Sequence, residues 1–475
     1  MQTTVRAMLA ALLLAGSTFG AEAPGFSPGQ MVEKVVCRPD PLETYALYLP
    51  STYTPDRSWP VIYALDPGAR GRLPVERLKR AAESYGYIVV GSNNSRNGPT
   101  EPTVRALNAM IGDTRQRFSV DPKRIYLAGF SGGARAATVF VRLRSTPVAA
   151  VIACGAGLAT NLSPRDLPPT YFLGIVGVRD FNYLEMRDLD RRLGSEKVGH
   201  RLIVTDDQHT WPSEDTFLRT VEWLELQAMA SGLRSRDASL LEAAYRKETE
   251  AGRTLEDRGD LTGAVLSYES VSPLFGELRG MDELGEKTLR LRRSDGFRRQ
   301  AKKEAGLEYR EREWNTAAQQ VFMSMSTAYP REINLGQLLD KLGVARLVKD
   351  LRQAGDAAVS QLASRLLTSF TATTRSNGWQ FMAQRDYRRA SLFFEAGLQA
   401  AEPDPSLRPG LLFAVACAQA AAGDEMTALS RLRQAVEAGF SNRELLAQEK
   451  CFDGLRKTPA FGQIVGTLEG QQPER

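Results

Sequence analysis

The chain has 475 residues, a formal net charge of +5 from 61 Lys and Arg against 56 Asp and Glu, and an apolar share of 43%. That length gives room for two or three domains whose cores need no disulfide support. The mild charge, with both signs interleaved as in "RKETEAGRTLEDRGD", gives no basis for a nucleic-acid partner.

The first segment, "MQTTVRAMLAALLLAGSTFGAEAPG", places Arg6 before an apolar run from Ala7 to Leu14 and then small residues. This is the layout of a secretory signal peptide, and the run is too short to span a bilayer. Residues 1–23 are expected to be a signal removed after Gly20 or Ala23, which leaves a secreted or periplasmic protein with no membrane span. No cysteine closes the run, so lipid attachment is not indicated.

From about residue 34 to 230, short apolar runs alternate with longer helical ones. The strand candidates are "TYALYLP", "PVIYALD", "YIVVGSN", "RIYLAGF", "VAAVIAC", "TYFLGIVG" and "HRLIVTD". Between them lie helical patterns such as "VERLKRAAESYG", "TVRALNAMIGDTRQRF" and "FNYLEMRDLDRRLG", and "TFLRTVEWLELQAMA" follows the last strand. Strands joined by helices demand a mostly parallel sheet covered on both faces, so residues 24–232 are expected to be an α/β domain.

Beyond residue 237 the strand signal vanishes. Three stretches there repeat a pattern: Gly252, Gly259-Asp260-Leu261, Ala264, Tyr268; Gly378, Arg385-Asp386-Tyr387, Ala390, Phe394; and Ala416, Gly423-Asp424-Glu425, Ala428, Leu432. Small residues recur where paired antiparallel helices approach, and large ones recur where the next unit packs. These stretches resemble tetratricopeptide repeats, so residues 237–475 are expected to be an all-α helical repeat domain that binds a protein partner. Residues 290–372 are helical but fit the repeat poorly and read as degenerate units. Four cysteines, Cys37, Cys154, Cys417 and Cys451, are too few and too scattered for a disulfide framework or a metal cluster. Cys417 and Cys451 lie one repeat length apart and can face each other, although buried free thiols are the favoured reading.

In "IYLAGFSGGARAATVF" the apolar run Ile125–Ala128 leads into Gly129, Ser131 and Gly133, and a helix follows. G-x-S-x-G at a strand-to-helix turn is the pattern that lifts a nucleophile above the edge of a sheet. A serine hydroxyl needs a base, and a third group to orient that base. The chain has two histidines, His200 and His209. His209 follows the last strand in "IVTDDQHTWPSEDTFL", on the carboxyl side, whereas His200 opens a strand at the opposite edge and reads as structural. The orienting acid belongs on another carboxyl-edge loop, and "YFLGIVGVRDFNYLEM" offers Asp180 just past a strand that ends near Gly177. The rival role for Asp180 is a helix cap.

The order Ser131, Asp180, His209 with its G-x-S-x-G turn resembles the α/β-hydrolase superfamily. More narrowly, "HTWP" and "DPKRIYLAGFSGGA" are similar to secreted esterases of the polyhydroxybutyrate depolymerase and feruloyl esterase type. The resemblance spans residues 40–230. It implies an exported serine hydrolase that cleaves an ester through an acyl-enzyme. No paired histidines at i and i+4 and no Cys-His spacing occur, so no metal and no cofactor are expected. The resemblance also implies two oxyanion donors: the Gly132 N–H, and one from the loop "YALDPGARGR", where Asp66 and Pro67 stand in place of the family's His-Gly. Pro67 has no N–H, which leaves Gly68, Ala69 or Arg70 to donate. Arg70 is alternatively a contact for an anionic substrate group or a solvated side chain. In "GSNNSRNGP", Asn93, Asn94 and Asn97 suit recognition of a small-molecule or polymeric hydroxyl-bearing ester, and suit an ordinary turn rather better. A peptidase shares the same triad. The reading from another class is a catalytically silent hydrolase-fold scaffold whose repeats bind a partner.

Overall fold

The computed structural model describes residues 25–143, 145–275, 282–352 and 355–469, so the expected signal, residues 1–23, lies outside it. The first half of the chain alternates as read from the sequence. In order come β1 (Met31–Val36), β2 (Thr44–Tyr48), β3 (Trp59–Leu65), α1 (Arg72–Tyr85), β4 (Ile88–Ser92), α2 (Thr100–Arg117) and β5 (Val120–Phe130). They are followed by α3 (Gly132–Leu143), β6 (Ala150–Cys154), β7 (Tyr171–Gly177), α4 (Tyr183–Ser195), β8 (His200–Thr205) and α5 (Glu214–Ala230).

The eight strands lie in the order β1-β2-β4-β3-β5-β6-β7-β8. β2 pairs antiparallel with β1 and β4, whereas β4, β3, β5 and β6 pair parallel. β1 is not among the strands read from the sequence: "MVEKVV" is a half-exposed edge whose apolar residues barely alternate. The central strands are legible because a strand covered on both faces is continuously apolar, and every residue of β3 and β4 is buried.

By contacts the chain divides into two units. The first comprises the residues up to 154, 158–173 and 211–235; the second comprises 155–157, 174–210 and those from 236 onward. In the first unit, the strand order places β4 on one side of β3 and β5 on the other. Right-handed crossovers then send the connecting helices to opposite faces. α1 packs with α5, and α2 with α3. The chain segments leaving β3 and β5 therefore diverge at the carboxyl ends of these strands, the usual ligand position in open α/β sheets. Leu65 and Gly129 are register partners, so the two ends lie side by side.

In the second unit the helical region contains α6 (Ala238–Asp257), α7 (Leu261–Phe275), α8 (Asp282–Arg293), α9 (Asp295–Thr327), α10 (Leu335–Leu342) and α11 (Val344–Arg352). It continues with α12 (Ala357–Ala383), α13 (Tyr387–Ala400), α14 (Arg408–Ala421), α15 (Glu425–Glu437), α16 (Arg443–Gln448) and α17 (Pro459–Glu469). The recurring dipeptides have a local cause. Gly259, Arg385 and Gly423 adopt φ of 77°, 62° and 83°, the left-handed conformation that ends one helix. The aspartate after each then accepts a backbone N–H of the next helix: Asp260 from Gly263, Asp386 from Arg389 and Asp424 from Thr427. The small residues have a packing cause. A Cβ on Gly252 would meet the Tyr268 ring at 2.2 Å, and one on Gly378 would meet the Phe394 ring at 2.3 Å. The misfitting stretch holds α9, a single helix of 33 residues.

Cys417 and Cys451 form a disulfide with Cα atoms 5.3 Å apart, against the free thiols favoured from the sequence. Cys417 is fully buried on α14, and the segment after α16 returns across that helix. Among the described residues these cysteines and Glu449 come within metal-ligand spacing, but the sulfurs bond each other. Cys37 and Cys154 are free and buried.

Candidate active site

Ser131 joins β5 to α3 with φ of 52°, a conformation that costs a non-glycine residue of order 1–3 kcal/mol and that tends to persist at functional sites. Backbone contacts hold it there. Its N–H donates to the Cys154 carbonyl at 2.8 Å, and its own carbonyl accepts from Ala134 at 3.0 Å. The flanking glycines are required by close approach: a Cβ on Gly129 would lie 2.4 Å from the Gly133 carbonyl oxygen, and one on Gly133 would lie 2.0 Å from that of Leu65. The helix thus starts directly against the ends of β5 and β3, with its positive end at Ser131 and the Gly132 N–H among its first, unsatisfied donors.

The segment after β3 departs from the expected oxyanion arrangement. Asp66 is fully buried, and its Oδ1 accepts the Gly68 N–H at 2.8 Å and Arg70 Nε at 2.9 Å. Its Oδ2 accepts Arg70 Nη2 at 3.0 Å and Trp211 Nε1 at 2.7 Å. The Ala69 N–H is turned back to the Asp66 carbonyl at 3.2 Å. Gly68 and Ala69 are therefore engaged within their own turn rather than free as oxyanion donors, and Arg70 is an ion-pair partner of Asp66 rather than a poised anion contact. The physical reason is the buried carboxylate, whose charge must be met by donors. Burial pushes the Asp66 carboxyl up, but the hydrogen bonds from Arg70, Trp211 and the Gly68 N–H outweigh it and hold it below the usual carboxylate range. Sequence reasoning marked Asp66 only as a departure in this loop and gave Trp211 no role, so their pairing was missed. The "W" of "HTWP" was the available signal, since an indole with 3% exposure needs a partner for its N–H.

The three asparagines separate. Asn93 donates to the Glu33 carbonyl at 3.0 Å, and Asn94 accepts the Thr44 N–H at 2.9 Å, so both brace their turn against neighbouring strands. Asn97 stands at the nucleophile turn instead. Its N–H donates to the Pro67 carbonyl at 2.9 Å, and its carboxamide oxygen occupies the space of a Gly132 Cβ, 1.9 Å from where that atom would be. The Asn97 carboxamide oxygen thus fills the space beside Gly132.

In the second unit, His209 Nδ1 lies 2.9 Å from both Asp180 carboxylate oxygens. Asp180 is 1% exposed, and the Phe181 ring lies 4.1 Å from the imidazole centroid. The two supporting loops touch backbone to backbone: Arg179 N–H donates to the Asp207 carbonyl at 3.0 Å, and a Cβ on Gly177 would sit 2.1 Å from that same oxygen. Asp180 also accepts the Asn182 N–H at 2.8 Å, while α4 is capped at Asn182, so the carboxylate orients its own turn as well as the imidazole. His200 lies elsewhere, with Nδ1 2.7 Å from the Val198 carbonyl and Nε2 3.5 Å from Asp190.

No protein-family model matches the chain, and no curated protein matches it. Solved structures similar to part of it include esterase B from Lactobacillus Rhamnosis, at 16% identity and a TM-score of 0.37, covering 44% of this chain and 91% of that one. A fluorophosphonate-binding serine hydrolase of Staphylococcus aureus is similar at 14% identity and 0.34, over 42% of this chain and 99% of that one. An esterase from Pyrobaculum calidifontis is similar at 15% and 0.34, over 43% and 87%.

Proposed function

We propose that this chain is an exported serine hydrolase that cleaves a carboxylic ester, with Ser131, His209 and Asp180 as its triad. The observation that carries the reading is Ser131 itself: a non-glycine residue at φ 52° between two glycines that admit no Cβ, at the end of a parallel strand and the start of a helix. Such strain needs a reason, and presenting a nucleophile supplies one. The His209–Asp180 pair supports the reading by fixing an imidazole through Nδ1, which leaves Nε2 as the working nitrogen. Each of the three residues follows the carboxyl end of its strand, β5, β7 or β8.

In this reading Nε2 of His209 takes the Ser131 proton as Oγ attacks the ester carbonyl. The tetrahedral intermediate expels the alcohol, which receives that proton, and water then repeats the sequence on the acyl-enzyme to release the acid. The Gly132 N–H is the first oxyanion donor. Gly68 and Ala69 are engaged by Asp66 and its turn, so the first donor alone is assigned. Export is supported by the Cys417–Cys451 disulfide, a bond that persists in oxidising compartments. The helical region is proposed to engage a protein partner through its tetratricopeptide-like pairs.

Turnover of short-chain p-nitrophenyl esters by wild type, Ser131→Ala and His209→Ala tests the triad, with a fluorophosphonate probe as the second readout. Loss of both turnover and labelling in the variants is expected. Wild-type protein that neither turns over these esters nor takes the label would overturn the hydrolase reading and favour a scaffold.

A further inference from the structure

Arg365 on α12 is 6% exposed and meets the 2% exposed Glu311 of α9 through a fork, with Nε to Oε1 at 3.0 Å and Nη2 to Oε2 at 2.6 Å. Its remaining arm, Nη1, donates to the Val178 carbonyl at 2.7 Å. The guanidinium carbon also stands 4.7 Å from the centre of the Tyr183 ring. Val178 and Tyr183 bracket Asp180, and the Tyr183 N–H donates to the Asp180 carbonyl at 2.8 Å. One buried cation therefore grips both ends of the segment that carries the carboxylate facing His209.

The chemistry asks why a charge is buried here. Joining α9 to α12 is no sufficient reason, because apolar residues of similar volume hold helices together at least as well as a buried ion pair. What an apolar pair lacks is a donor aimed at one carbonyl and a flat cation set against one ring. A planar, always-charged group oriented on two sides by Glu311 provides both. Neighbouring ion pairs brace the same region: Arg312 of α9 meets Asp188 of α4 at 2.7 Å, and Arg191 of α4 meets Glu308 of α9 at 3.1 Å. These are more exposed and contribute register more than energy.

We propose that Arg365, oriented by Glu311, is a positioning residue for catalysis, holding Val178–Tyr183 so that Asp180 meets His209 squarely. This rests on the hydrolase reading above and goes beyond it. The helical region is then part of the mount of the catalytic acid, in addition to any partner it binds.

The test uses the full-length oxidised protein with Arg365→Met, Arg365→Lys and the double variant Arg365→Met/Glu311→Leu. The single Met variant leaves Glu311 buried without its cation and risks misfolding; the double variant removes both charges and restores packing. Expected for the double variant is a wild-type melting midpoint with kcat lowered about 10²-fold, the scale of a misplaced catalytic group, and KM unchanged. The far-downfield proton resonance of the His209–Asp180 hydrogen bond should shift or vanish with it. Arg365→Lys should recover little, since an ammonium cannot serve Glu311, Val178 and Tyr183 together. A double variant with wild-type kcat and an unmoved resonance overturns the proposal and leaves the triad standing. Wild-type protein that is inert to esters and to the fluorophosphonate overturns the triad and this proposal together.

Discussion

Reducing the Cys417–Cys451 bond should destabilise the last helices by an amount set by the chain between them. The cysteines are 34 residues apart, and the chain-entropy relation assigns a closed loop of that size about 3.8 kcal/mol. Cys417 is fully buried among Leu411, Phe413 and Leu432, so its thiol keeps its packing after reduction, and the loss is chiefly the restored freedom of the unfolded loop. If the helical region melts as a unit of 150–250 residues, that loss lowers its midpoint by roughly 8–15 °C. The assay is a thermal melt followed by circular dichroism with and without reductant, paired with thiol titration after unfolding. Two thiols, Cys37 and Cys154, should titrate in the oxidised protein and all four after reduction. In the folded protein neither free cysteine should react with iodoacetamide, because burial, then the nearby Asp113, pushes Cys37 up to about 12, and burial alone raises Cys154. Four titrating thiols without reductant would refute the pairing. Two titrating thiols with identical melts would refute the loop-entropy reasoning while leaving the bond intact.

Ser131→Gly should abolish turnover yet melt higher than Ser131→Ala, by the order of 1 kcal/mol, because glycine relieves a positive φ that alanine retains. Equal melting of the two variants would mean that φ 52° carries no strain. Asp66 has its carboxyl held below the usual range, so its contribution to stability is full above the unfolded value near pH 4 and is lost as pH falls through the lower folded one. Melting midpoints of wild type should therefore fall more steeply below about pH 4 than those of Asp66→Asn, and parallel curves would contradict the assignment.

What the sequence discloses are the features with local causes. Continuous apolar runs mark β3 to β6 because those strands are buried on both faces, and the glycines around Ser131 mark backbone contacts within a few residues. The Gly-Asp and Arg-Asp dipeptides mark helix junctions, since one residue must turn left-handed and the next must cap. The features that stayed hidden are partnerships at long range. Nothing local in "DPGARGR" reveals that the Asp66 carboxylate gathers Arg70, Gly68 and a tryptophan 145 residues away, leaving the expected donors engaged. Nor does "ASRLL" distinguish Arg365 from the solvated arginines around it. The edge strand β1 escaped because partial exposure blurs its alternation. The spacing of Cys417 and Cys451 offered the pair only as an alternative to free thiols, because their bond depends on the segment after α16 folding back over α14.

The reach of Arg365 to Val178 also bears on when the segment Val178–Tyr183 can mature. Those residues are 187 apart in the chain, so at synthesis rates of ~5–20 residues per second the guanidinium is made on the order of 10–40 s after the segment that it must secure. For that interval Val178–Tyr183 lacks its fastening. Folding of this part of the molecule is necessarily a late, non-local event, slow in the way that large sequence separations make it slow. A chain truncated before α12 would carry the serine turn and the imidazole but hold the Asp180 carboxylate loosely. In the proposed reading, the segment that carries Asp180 is steadied only once α9 and α12 have folded onto it.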